Sequence, residues 1–269
     1  MYKRILVPVQ LPSEVEPLIR FAANLLDADG EIRLLHVIPT TTLPQVAREW
    51  RSSVNIVVPA HETGASLDIR VEPEVKASTD VPGEILESAE TEGVEAILMT
   101  LRGNPGSRNP FVGHTTSGIL HHATCDVLIL NRLALAGDRV PRILIPTFRR
   151  SAPPKSMRIA EELSVRGGGV PVITLQLGTR SDAGADSSAR DEPSARGVPR
   201  FHKQSFFSQA VLGRRRRLPE LMLQAAQRER FGLLLVGGEE EGTEGPLLTR
   251  WFLEELFRAA PCPVLALRA

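Results

Sequence analysis

The sequence predicts an α/β protein of two tandem domains, each a five-stranded parallel sheet with helices on both faces. Three observations predict it. First, the chain repeats itself in order. Arg4–Pro8 (RILVP) returns 138 residues later as Arg142–Pro146 (RILIP). Ala96–Met99 (AILM) and Ala123–Leu130 (ATCDVLIL) return 137 residues later as Leu233–Val236 (LLLV) and Ala260–Leu267 (APCPVLAL). Second, short apolar runs alternate with amphipathic stretches, the pattern of β-α-β crossovers. Third, the apolar runs are nearly continuous, as in parallel strands buried on both faces. The expected domains are residues 1–134 and 138–269.

Within the first copy, Ile5–Val9 is a buried strand. Ser13 is expected to cap the next helix, with Glu14 and Glu16 in its first turn. That helix carries Val15, Leu18, Ala22 and Leu25 on one stripe, with Ile19 and Leu26 beside it, and Asp29-Gly30 is expected to stop it. Ile32–Ile38 is the second strand, and Gln45–Val54 is expected to be helical. Ile69–Lys76 alternates as a third strand. Pro82–Glu92 is a helix with Ile85, Leu86 and Ala89 on one side, and Gly93 ends it. Ala96–Thr100 is a strand, Thr115–His122 a helix and Val127–Leu130 the last strand.

The second copy runs similarly: strand 142–146, helix 153–165, strand 170–176, helix 218–229, strand 232–237, helix 247–259 and strand 263–267. Its third strand is placed at Gln204–Leu212. Residues 178–200 are rich in Ser, Ala, Asp, Arg and Gly without periodicity, and are expected to form a mobile insertion. Gly167-Gly168-Gly169 follows a helix and precedes a strand, so it caps the helix instead of cradling phosphate. Trp251, Phe252, Leu253, Leu256 and Phe257 give the last helix a wide apolar face, expected to be core.

Composition bounds the function. The 269 residues carry 32 Lys+Arg and 32 Asp+Glu, a balance that argues against nucleic acid as a partner. No apolar run approaches the ~18 residues of a membrane span, and Ile5–Val9 is too short for a signal-peptide core. The two cysteines, Cys125 and Cys262, hold equivalent places in the repeat and form no C-x-x-C. They read as small buried residues in a reducing cytoplasm. His114 and His121 lie about 10 Å apart on a helix at ~1.5 Å per residue, too far to share a metal ion. No G-x-S-x-G elbow or Cys/His arrangement is present, which disfavours a hydrolase.

RILVPV at the start, LLHVI at 34–38 and the spaced glycines before CDVLIL resemble the universal stress protein family, and they do so in both halves. The chain is therefore similar to a tandem universal stress protein. STDVPGEIL at 78–86, LRG at 101–103 and ATCDV at 123–127 resemble the subgroup found as cytoplasmic tails of permeases and antiporters. The resemblance implies an adenine nucleotide alpha hydrolase-like, Rossmann-like fold.

It also implies a binding site. Members that bind ATP share G-x2-G-x9-G-[S/T] after the fourth strand. Glycines let the backbone approach phosphates, and the closing pair opens a helix whose free N–H groups attract an anion. In this register stand Thr100, Gly103 and Gly113-His114, with the nine-residue interval intact. Thr100 replaces the first glycine and His114 the hydroxyl residue, while Thr115 follows with a hydroxyl. Arg102 and Arg108 sit in the loop and offer charge-assisted contacts. Gln10 stands where the family has a carboxylate. Val37 falls where an apolar residue packs on adenine, and Pro8, Val9 and Met99 are expected beside it. All lie at carboxyl ends of strands, where such sheets hold ligands. The implied cofactor is ATP or another adenine nucleotide, with Mg²⁺ only alongside it. The simpler alternative is that Gly103 and Gly113 merely permit the loop.

The second copy departs further. Gly237 holds the first glycine, but Glu240 falls at the second and Arg250-Trp251 at the closing pair. Glu239, Glu240, Glu241 and Glu244 would repel phosphates, so this half is expected to be a structural partner. Arg214–Arg217 is read as a solvated loop, with an anionic partner as its alternative. In the family the last strands of two domains pair antiparallel. Asp126–Leu130 and Val264–Leu267 are expected to do so, making an intrachain pseudo-dimer that dimerises again. Two readings stay open: a stress-associated cytoplasmic nucleotide sensor that is not an enzyme, or a nucleotide-free interaction protein acting on a partner such as a membrane transporter. A slow ATPase lacks an evident base.

Overall fold

A computed structural model describes residues 1–40, 43–101, 113–131, 142–147, 152–178, 201–207, 218–228, 230–237 and 250–268. They fall into two compact units, one within residues 1–134 and the other within 135–269. The fold class is the predicted one: each unit is α/β with a five-stranded parallel sheet.

The first unit runs β1 (Tyr2–Pro8), α1 (Pro12–Ala23), β2 (Leu26–Pro39), α2 (Leu43–Ser52), α3 (Val54–Leu67), β3 (Arg70–Ser78), α4 (Val81–Thr91), β4 (Ala96–Thr100), α5 (His114–His122) and β5 (Asp126–Leu130). Its strand order is β3-β2-β1-β4-β5, every neighbouring pair parallel. The centre of the sheet is sealed: Ile5, Val7, Ile32, Ile97, Leu98 and Val127 are fully buried. α1 packs on α3, and α4 on α5. Burying a side chain of this size is worth about 1.5–3 kcal/mol each, which sets the sheet as the stable frame.

Three local expectations are corrected. Ser13 does not cap α1: the N-cap is Leu11, Pro12 and Ser13 are already helical, and the Glu14 carboxylate accepts the backbone N–H groups of Gln10 and Leu11, both at 3.0 Å. Proline at the first helical position, where no N–H partner is needed, moves the start forward. Asp29-Gly30 does not end α1, which stops at Ala23 while β2 already begins at Leu26. Tyr2 pairs with Leu26 and Arg4 with Glu31, so the extra residues, Asp29-Gly30 among them, form an irregularity inside β2. Lastly, residues 54–67 form a helix the pattern did not reveal. Gly64 on α3 sits so close to β3 that a Cβ there would lie 2.7 Å from Val71 Cγ2.

The second unit runs β6 (Ile143–Thr147), α6 (Pro154–Arg166), β7 (Val172–Gly178), β8 (Phe201–Phe207), α7 (Leu218–Arg228), β9 (Leu233–Gly237), α8 (Arg250–Ala259) and β10 (Val264–Arg268). Its order, β10-β9-β6-β7-β8, has the same connectivity, again all parallel. The third strand starts three residues earlier than expected. Gly167 caps α6, and Gly168 and Gly169 take φ of 85° and 83°, the conformation that made glycine the reading there. Phe252, Leu253, Leu256 and Phe257 enter the core, whereas Trp251 stays 45% exposed on the first turn of α8. Cys262 is buried but Cys125 only half so. The expected insertion beyond Gly178, Arg214–Arg217 and the acidic 239–244 loop lie outside the described residues.

Candidate functional site

The carboxyl ends of β1, β2 and β4 and the amino end of α5 enclose a cavity of about 320 Å³ in the first unit. This is the low end of the about 300–1,000 Å³ usual for ligand pockets. Pro8, Val9 and Gln10 enter from the end of β1, Val37 from β2, Met99 and Thr100 from β4, and Gly113 and Thr115 from the start of α5. The structure thus brings together eight of the twelve residues singled out in the sequence. His114 is exposed and does not line the cavity. It occupies the first helical position, and its neighbour Thr115 faces the cavity instead. Arg102, Gly103 and Arg108 lie outside the described residues.

Several supports hold the rim. Val9 N–H donates to the Leu35 carbonyl at 2.9 Å, extending the β1–β2 ladder past the last strand residue. Buried His36 donates from Nδ1 to the Val9 carbonyl at 3.0 Å, so both backbone groups of Val9 are tied down. Val81 and Ile85 of α4 close one wall. Lys76 of β3 binds that helix, donating to Ser88 Oγ at 2.9 Å and pairing with Glu84 at 3.1 Å. Burial alone would lower the Lys76 pKa, but the bond to Glu84 and the charges of Glu74, Glu84 and Glu87 hold it above the usual lysine value. Gly113 is the N-cap of α5 and has no side chain to bond its free N–H groups. A Cβ at Gly113 would meet nothing within 4 Å, because it would point into open space.

Sequence reasoning missed Glu14. It lines the cavity and is only 5% exposed. One carboxylate oxygen takes the two N–H groups at the start of α1, and the other accepts the Thr100 hydroxyl at 3.0 Å. Among the described lining residues Glu14 is the charged one. A signal existed: a glutamate at the third position of a helix without a capping hydroxyl folds back on its own N-terminus. What the sequence did not reveal is that Thr100, 86 residues away, stands against it.

The second unit repeats this contact with different residues. Ser156 is the third residue of α6, and Gly237 is the last of β9. A Cβ on Gly237 would lie 2.1 Å from Ser156 Oγ. So the Glu14–Thr100 pair of the first unit corresponds to a Ser156–Gly237 pair in the second.

The sequence model of the Universal stress protein family matches residues 1–131. A universal stress protein from Archaeoglobus fulgidus DSM 4304 superposes with a TM-score of 0.64 over 98% of this chain and 95% of its own, at 16% identity. A putative universal stress protein from Pseudomonas aeruginosa UCBPP-PA14 gives 0.62 over 99% and 93%, at 12% identity. The cytoplasmic domain of a prokaryotic cation chloride cotransporter gives 0.63 over 99% and 95%, also at 12%. At these identities the likeness is one of fold. No curated protein matches the sequence. With the family match, the strand order and the cavity at the strand ends in agreement, residues 1–131 are a domain of the universal stress protein family.

Proposed function

We propose that the first unit binds ATP or a related adenine nucleotide as a sensor, within a stress-associated cytoplasmic protein that is not an enzyme. The observation that carries this reading is the convergence of Pro8, Val9, Gln10, Val37, Met99, Thr100, Gly113 and Thr115 on one cavity. Val37 and Met99 supply apolar surface for a base, Gln10 both donates and accepts, and the bare N-terminus of α5 offers N–H groups to an anion. Mg²⁺ enters this reading only as a companion of the nucleotide's phosphates. The second unit is read as a structural pseudo-dimer partner, and the chain as a homodimer.

Gly113→Glu tests the reading directly. The position has open space and φ −65°, so the variant should fold normally and keep its melting temperature. Its carboxylate would occupy the cavity mouth. Calorimetric titration of ATP, ADP, AMP and cyclic AMP should show binding at one site per wild-type chain and none in the variant. Unchanged binding in the variant would sink this placement of the site.

A second reading is a nucleotide-free interaction protein that regulates a partner, such as a membrane transporter. It is favoured by Gln10 and Thr100 in place of a carboxylate and a glycine, and by the exposure of His114. Absence of heat for all four ligands at millimolar concentration would select it.

A further inference from the structure

We infer that the first unit docks a second copy of this chain through the exposed side of α2 and α3, the two ridges packing antiparallel across a two-fold axis. This gives the homodimer read above its interface, and it stands apart from what the cavity binds.

α2 and α3 act as one helical ridge. Ser53 between them keeps right-handed helical angles, φ −63° and ψ −17°. Its N–H donates to the Glu49 carbonyl and its carbonyl accepts from the Val57 N–H, both at 3.0 Å. The helical phase therefore runs on through the junction, at about 100° per residue. On that phase Ala47, Trp50, Val54, Val58 and Ala65 fall within an arc of about 80°, with His61 among them. All are exposed, Trp50 by 51%, Val54 by 53% and Val58 by 46%. The buried residues Ile56, Ala60 and Thr63 lie on the opposite side. Of the large apolar side chains exposed among the described residues, Leu11, Val165 and Trp251 are scattered, while Trp50, Val54 and Val58 share this one strip. A contiguous exposed apolar strip marks an interaction surface, where single exposed residues do not.

The charges beside the strip identify what covers it. Arg51, Glu62 and Arg48 occupy the adjoining arc of about 60°. None of the three has an ion-pair partner among the described residues, whereas Arg4, Arg20, Arg33 and Arg70 of the same unit are each paired with a glutamate. Glu62 would repel an anionic surface, and the two arginines would repel a cationic one. A second copy suits both signs. In an isologous pair the same flank meets itself with the chain direction reversed. With the axis midway between Val54 and Val58, each Val54 faces Val58 of the second copy, Ala47 faces Ala65, and Trp50 faces His61. Glu62 then falls between the levels of Arg48 and Arg51 across the axis. The strip covers its own apolar surface, and all three free charges gain partners together. It is shorter than a standard interface, so the dimer is a weak one that depends on concentration.

The test is sedimentation velocity of the full chain from micromolar to near-millimolar concentration. The wild type should pass from monomer to dimer. Val54→Asp should weaken the association by about tenfold or more, because it sets a carboxylate in the apolar strip near its own copy. Glu62→Arg should weaken it likewise, by bringing like charges together. Adding Arg48→Glu and Arg51→Glu to Glu62→Arg reverses every charge and should restore the association to within about threefold of the wild type. These side chains are exposed, so circular dichroism should show each variant folded. A dimer unchanged by Val54→Asp and by Glu62→Arg would overturn this interface and leave the homodimer to another face. A triple variant no tighter than Glu62→Arg would overturn the antiparallel pairing. A wild type monomeric throughout would overturn both the interface and the homodimer reading. If that monomer sedimented with phosphatidylserine vesicles, and Trp50→Ala abolished it, the strip would be a membrane contact instead.

Discussion

Ser156 and Gly237 show how one residue constrains another across a helix–strand contact. Ser156 is fully buried, and its hydroxyl has no hydrogen-bond partner among the described residues. Gly237 leaves exactly that hydroxyl its room, so alanine there overpacks the contact. Gly237→Ala should cost about 1–3 kcal/mol. In a Ser156→Ala background the new methyl group would meet the residue 156 Cβ at 3.4 Å and Pro153 Cγ at 3.5 Å, ordinary contacts. The same substitution should then cost well under half as much. Ser156→Ala alone should be neutral or stabilising, because it removes a buried polar atom without a partner. Urea denaturation of the two single variants and the double variant measures the coupling. Strict additivity would show that the two residues do not meet as described. The first unit meets the same geometric demand with Thr100 donating to Glu14, and there the polar groups are satisfied.

At the scale of elements, α3 is the informative case. Its sequence, VNIVVPAHETGASL, holds Pro59, Gly64 and a run of β-branched residues, all poor helix formers. It is helical because Ile56, Ala60, Thr63 and Gly64 are buried and because α1 and β3 pack on it. Gly64→Ala separates the two influences. Intrinsic propensity favours alanine by about 1 kcal/mol. Packing opposes it, since the new Cβ would lie 2.7 Å from Val71 Cγ2 and 3.1 Å from the Ile69 carbonyl oxygen. Valine is stiff and the carbonyl is backbone, so neither yields easily. The variant should lose about 1–2 kcal/mol net, read as a lower urea midpoint at unchanged slope. A higher midpoint would mean that propensity, not the contact with β3, governs α3.

For the whole molecule, each unit has its own buried sheet, Ile5, Ile97 and Val127 in one and Ile143, Leu234 and Val264 in the other. The described residues that line the cavity all belong to the first unit. A ligand that binds only the folded form stabilises what it binds by mass action, about 2.7 kcal/mol at one hundred times its Kd. An adenine ligand at that concentration should therefore raise the thermal transition that reports on the first unit. The Gly113→Glu chain should show no shift at the same concentration. A shift of equal size in that variant would move the binding site elsewhere in the molecule.

The sequence by itself determined the fold class, the repeat and most strand positions. Apolar periodicity and recurrence at offsets of 137 and 138 depend only on residues near one another or on direct self-comparison. The family resemblance singled out Val37 and Gly113, and the rule that parallel sheets hold ligands at the carboxyl ends of their strands set Pro8 and Met99 beside them. Sequence reasoning went wrong where a local rule competed with a distant contact. Ser13 is a better cap than leucine in isolation, yet Pro12 and Glu14 start the helix. Asp29-Gly30 looks like a helix stop, yet pairing with β1 draws that segment into β2. α3 has weak local signals, yet α1 and β3 hold it. Only the tertiary structure decided that Glu14 faces Thr100 inside the cavity while Ser156 faces Gly237 in the second unit. Those pairs join residues more than eighty positions apart, so no rule that reads neighbouring residues could bring them together.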